Sequence, residues 1–184
     1  MKQLLASLLI GFTAAIACAQ APSAPGSSGR MDDAFEITFL RVVAGHPEYG
    51  TQRQRIVQGR VPSPVSATFV VKGSGQISGH WELVTPADGS PTRLDLTPTP
   101  SLNTSDRMSQ RRFKQLGTFS FSMMPGERHV IHGPAIDAQN FTLLGRYYIL
   151  LRLDSVTSIS STAPTLPAQV APVIVEVENS ENKN

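Results

Sequence analysis

The chain has 184 residues, with 16 Lys and Arg against 14 Asp and Glu and a formal charge of +2. So weak a field gives no electrostatic footing for a role on nucleic-acid phosphates. Fourteen Gly, fourteen Pro and 16% charged residues favour strands and turns over a helical bundle, and the single cysteine, Cys18, excludes an internal disulfide and a cysteine-built metal cage.

The chain opens "MKQLLASLLIGFTAAIACAQAPSAPG". Lys2 is a short positive region, and the apolar run from Leu4 to Ile16 is too short for the roughly 20 residues of a membrane span. That layout predicts a secretory signal peptide over residues 1–19. Ala17-Cys18-Ala19 offers a cleavage site before Gln20, whereas Ala15-Ile16-Ala17-Cys18 resembles a bacterial lipobox that would lipidate Cys18. Residues 20–33 are small, Pro-rich and polar and read as a flexible linker. A domain over 34–178 and a disordered tail over 179–184 complete the expected organisation. Removal of the leader would leave about 165 residues, enough for one sizeable core.

From residue 35 onward, alternation with a period of two predicts strand after strand. "FEITFLRV" puts Phe35, Ile37 and Phe39 on one face, and "SATFVVKG" does the same for Ala67, Phe69 and Val71. "QISGHWELV" aligns Ile77, Trp81 and Leu83 against Ser78, His80 and Glu82. "GTFSFSMM" aligns Phe119, Phe121 and Met123, and "ERHVIHG" is a shorter strand over 127–133. "GRYYILLRLDSV" sets Tyr147, Ile149, Leu151 and Leu153 opposite Tyr148, Leu150, Arg152 and Asp154. "PVIVEVEN" aligns Val173, Val175 and Val177. Turn signals at 73–75, 86–89, 125–126 and 133–134 separate these runs. Residues 86–116 form a long insertion, with a short helix expected over 105–117.

Some seven short strands predict an all-β fold, a single antiparallel sandwich. An inward-facing Trp81 on the third strand, with Leu143, Gly145 and Tyr147 leading into a late strand, resembles immunoglobulin-like and fibronectin type III-like β-sandwiches. The resemblance spans about Ser66 to Val177 and departs in the long insertion and in lacking a core cysteine pair. It implies structural roles for Trp81 and Tyr147, the Tyr147 hydroxyl bonding back to the backbone.

Catalytic patterns do not emerge. Gly73-Ser74-Gly75 lacks the spacing of a nucleophile elbow. "GSGQISG" precedes a strand, not a helix whose N-terminus could hold phosphate, and reads as a turn between antiparallel strands. His129 and His132 fall on opposite faces of a strand and cannot easily share a metal, while His46 sits in a turn beside Pro47. Asp32, Asp33 and Glu36 lack the loop pattern of a calcium site. Glu82 is expected to face outward, and Asp88, Asp95 and Asp106 to lie in loops, so no carboxylate pair has a fixed separation. Asn103 and Asn140 head sequons that matter only in a glycosylating host.

What remains is a surface. Arg107, Arg111, Arg112 and Lys114 cluster around Phe113 in the insertion, and His80 and Glu82 form an outward pair beside it. These six are the expected partner contacts, with Trp81 or Tyr148 as an alternative sugar platform. The expected function is therefore that of an exported, non-catalytic cell-envelope module acting through protein–protein contacts, without cofactor. It would be periplasmic or extracellular, or else held at the outer membrane through Cys18. A carbohydrate-binding or hydrolytic envelope protein and a structural subunit of a surface assembly are the alternatives.

Overall fold

The computed structural model describes residues 34–180. The readings of the leader, Cys18, the linker, Asp32, Asp33 and residues 181–184 lie outside them. Among the described residues, eight strands follow in chain order: β1 (Glu36–Ala44), β2 (Arg53–Val57), β3 (Val65–Lys72), β4 (Gly75–Val84), β5 (Lys114–Met123), β6 (Arg128–His132), β7 (Gly145–Ser158) and β8 (Val173–Glu178). They make two sheets, ordered β1-β3-β6 and β2-β8-β7-β4-β5. The fold is all-β, as the alternation predicts. It is not wholly antiparallel, because β2 runs parallel to β8. β2 itself, "RQRIV", was not foreseen: it is a polar edge strand with no apolar alternation to announce it.

One core joins the sheets. Ala67, Phe69 and Val71 from the small sheet meet Ile77, Trp81, Leu83, Tyr147, Ile149, Leu153 and Val175 from the large one. These are the inward phases read from the sequence. Two expectations fail locally. The β1–β3 register shifts between Ile37 and Phe39, so Phe39 turns out to solvent and Val42 and Ala44 turn in. Phe121 lies opposite Ile77, but β5 is an edge strand and leaves it 43% exposed. The Gly73–Gly75 turn is also no hairpin. It carries the chain from β3 in one sheet to β4 in the other, and Gly73 adopts φ of +71°.

Tyr147 closes the turn that leads into β7. Its hydroxyl donates to the Leu143 carbonyl at 3.1 Å and accepts from the Leu143 amide at 2.9 Å. The ring packs at 5.0 Å from Phe141 and is fully buried. Tyr147→Phe should keep the packing and strand two backbone groups, costing about 1–2 kcal/mol in chemical denaturation. An unchanged midpoint would contradict this role.

The segment between β4 and β5 decides what the outer face of the large sheet can do. It is shorter at its end than expected, since β5 already begins at Lys114. The expected helix over 105–117 is only α1 (Thr104–Ser109). Before it come three single 3₁₀ turns, at Pro86–Asp88, Leu94–Leu96 and Thr99–Ser101. Short polar residues fix each bend. Asp88 accepts from the Thr85 amide and hydroxyl, and Asp95 repeats the arrangement with Thr92. Asn103 caps α1 by accepting from the Asp106 amide. Leu96 and Phe113 then pack onto Val84, Tyr148 and Leu150, a second apolar cluster on the sheet's outer face. The insertion is thus a cover, and β4 and β7 are buried on both sides over part of their length.

Candidate functional site beneath the cover

The alternation of β4 and β7 places His80 and Glu82 beside Arg152 and Asp154, on the face opposite Trp81. His80 lies directly across from Arg152 in the register of the two strands. Sequence reasoning put this face in solvent. The cover changes that: Glu82 is 2% exposed and Arg152 6%, so the expected outward Glu82 is a buried carboxylate.

A buried carboxylate must be paired, and Glu82 is. Arg152 donates to its Oε2 from Nε at 2.9 Å and from Nη2 at 2.7 Å. His80 contributes Nε2 at 3.1 Å from Oε1, and the Phe113 amide donates to the same oxygen at 3.4 Å. The other imidazole nitrogen, Nδ1, lies 2.5 Å from Asp154 Oδ2. Burial pushes the Glu82 carboxyl up, but its bonds to His80 and Arg152 outweigh that and hold it below the usual carboxylate value. The bond to Asp154, followed by that to Glu82, raises the His80 imidazole to about 9 against the opposing effect of burial. His80 is therefore a cation at neutral pH, with both N–H groups given to carboxylates.

A doubly bonded imidazolium has no free lone pair and cannot take a proton from a nucleophile. No side-chain hydroxyl bonds to it among the described residues. The described residues also hold no group of three His, Cys, Asp or Glu arranged to bind a metal ion. His129 and His132 do lie on opposite faces of β6, and His129 is occupied with the Met124 backbone.

The pairing also predicts a pH dependence. His80 has a higher pKa folded than its ordinary 6.5, so its stabilisation is complete below about 6.5 and is lost as pH rises through about 9. Glu82 is lowered, so its contribution is present above its ordinary value and is lost as pH falls through the folded one. Stability should therefore fall by about 1–2 kcal/mol between pH 6.5 and 9.5, the half-exposed Asp154 reducing the full effect. Urea midpoints at the two values check this. His80→Gln should remove the fall, and an equal fall in the variant would overturn it.

The basic set divides. Arg111 is consumed by the cover: it donates to Asp95 from Nε at 2.9 Å and Nη2 at 2.6 Å, and to the carbonyls of Asp88 and Ser90. Its guanidinium also sits 5.0 Å from the centre of the Phe113 ring. Asp95, expected in an open loop, is buried as its counter-ion. Burial pushes the Asp95 carboxyl up, but three bonds from Arg111 and two from Thr92 outweigh that and hold it below the ordinary range. Arg111 is thus held in place as a structural cation of the cover. Lys114 donates to Asn140 Oδ1 at 2.5 Å. Arg107 spends only Nε, on the Leu102 carbonyl at 3.0 Å. Arg112 makes no ion pair or side-chain hydrogen bond with the described residues and is exposed.

Between the cover and the sheet lies a depression of about 530 Å³. His80, Glu82, Arg152 and Asp154 form its base, Arg107, Arg111 and Arg112 its cationic wall, and Gln115 and Thr118 line it from β5. Of the six expected contacts, it brings together five, and Lys114 is left out. Trp81 and Tyr148, the expected sugar platforms, are both buried, and the Tyr148 hydroxyl is 2.9 Å from that of Ser90. Sequence reasoning missed Arg152, Asp154 and Asp95. The signal lay in "YYILLRLDSV": an arginine within an apolar strand needs a buried carboxylate, and Tyr148 and Leu150 on its face need a cover. Comparison with protein-family models, with curated proteins and with solved structures gave no match.

Proposed function

We propose that the chain is an exported, non-catalytic binding module of the cell envelope, built on an immunoglobulin-like sandwich. The observation that carries the binding role is the division of charges around the depression. The acid–base groups are locked to one another, while the Arg112 guanidinium and the ends of Arg107 have no protein partner among the described residues. That suits recognition better than turnover. Strand order supports the sandwich type: β4, β7 and β8 lie as C, F and G lie in immunoglobulin domains, β1, β3 and β6 as A, B and E, and β5 as an added C′. Trp81 on β4 and the Tyr147 corner before β7 agree with it.

The apolar N-terminal run with Lys2 supports export. Both parts are testable on the full chain. Export predicts recovery from the periplasm or membrane fraction of a bacterial host, and Cys18→Ser should release a membrane-held form if Cys18 carries lipid. Binding predicts retention on isolated envelope material that is lost in Arg107→Gln/Arg112→Gln at an unchanged melting temperature. Retention equal to wild type would sink the assignment of the depression.

A further inference from the structure

We infer that the depression receives an acidic saccharide, holding one sugar carboxylate between Arg107 and Arg112. This rests on the binding-module reading above and narrows it to a ligand class. Arg107 Nη1 and Nη2 and the whole Arg112 guanidinium are donors without protein partners among the described residues. Planar guanidinium groups match the two oxygens of a carboxylate, which they can bind in a bidentate fork. Of the surrounding cations, Arg111 is spent on Asp95 and two carbonyls, while Arg152 holds Glu82 and the Arg111 carbonyl through Nε and Nη2 and keeps one buried donor, Nη1, without a partner among the described residues.

The remaining lining decides what else the ligand carries. Asp154 presents a carboxylate that shares only Oδ2 with His80, and Gln115 and Thr118 add polar side chains without partners among the described residues. A free carboxylate oxygen beside an amide and a hydroxyl accepts O–H donors and repels further anions. A sugar with several charges on one ring is therefore disfavoured, and one negative charge per ring surrounded by hydroxyls is favoured. A uronic acid has that chemistry. About 530 Å³ falls within the range of small-ligand sites, so a short oligomer suits it.

Calorimetric titration of the exported chain with trigalacturonate, its methyl ester and inorganic phosphate tests the inference. Trigalacturonate should bind, the ester should bind at least tenfold more weakly, and phosphate should not displace the sugar. Arg107→Gln/Arg112→Gln should lose at least tenfold in affinity with an unchanged melt, and Asp154→Asn should weaken the acid and its ester alike. Equal binding of acid and ester, full displacement by phosphate, or an unaffected double variant would each overturn it. So would an absence of binding. If envelope retention still depends on Arg107 and Arg112 in that case, the ligand class fails while the module stands. Release of new reducing ends from trigalacturonate would instead sink the non-catalytic reading.

Discussion

Arg152→Ala should destabilise the fold by about 3–5 kcal/mol, as urea denaturation at pH 7 would report. The cost does not come chiefly from a lost attraction. Removing the guanidinium leaves Glu82, 2% exposed, with its Oε2 stripped of two donors at 2.9 and 2.7 Å. His80 still faces the other oxygen, so the carboxylate is not wholly abandoned, but it stays charged and almost fully buried. The same substitution releases the Arg111 carbonyl, which Arg152 Nη2 holds at 2.8 Å, and so loosens the end of the cover. The penalty should shrink towards pH 5, because the stranded carboxyl can then take up a proton. Arg152→Leu/Glu82→Leu should recover most of the loss, since a buried ion pair replaced by packed apolar groups is often close to neutral. A single variant within 1 kcal/mol of wild type, or a double variant no better than the single, would refute this account of the pair.

This pair marks the border of what the sequence discloses. Inward phases were legible because one face of each strand meets a continuous apolar core, and Trp81, Phe69, Tyr147 and Val175 obey it. The phase of β1 was not, because a register shift near Thr38 exchanges the faces close to its start, and no glycine or proline announces it. The expected partner contacts were legible as residue types but not as a site. Whether Glu82 is solvated or buried depends on where residues 86–113 fold back, and that is set by small local devices: Thr85 with Asp88, Thr92 with Asp95, Asn103 with Asp106. Each T-x-x-D or N-x-x-D reads as an isolated turn. Only their succession, ending in Leu96 and Phe113 on the sheet, turns the insertion into a cover that helps bury Glu82 and Arg152. The division of the basic set has the same origin, since Arg111 lies within reach of the buried Asp95 and Arg112, its neighbour, does not pair with it.

Trp81→Ala should cost about 3–5 kcal/mol, by the opposite route. Trp81 is 1% exposed and points from β4 into the core between the sheets. Its surroundings are cut to its size. Gly117 stands across from it on β5, and a Cβ on Gly133 would lie 3.5 Å from its Cε2. Glycine at 133 and the surrounding close-packed core leave no side chain positioned to refill the space of the indole, so truncation should leave a cavity instead of a collapse. Trp81→Phe, which keeps a ring, should therefore cost less than half as much. As the only tryptophan, Trp81 should emit at short wavelength and resist iodide quenching, and the variants must be followed by circular dichroism. The loss should be independent of pH between 5 and 7, because no titrating group loses a partner. That separates it from Arg152→Ala, although Glu82 is the very next residue on the strand. Affinity for a ligand in the depression should also survive Trp81→Phe, since the sheet lies between the two. A Trp81→Ala melt equal to wild type would overturn the inward phase of β4. With it would go the assignment of His80 and Glu82 to the covered face, which depends on the same alternation.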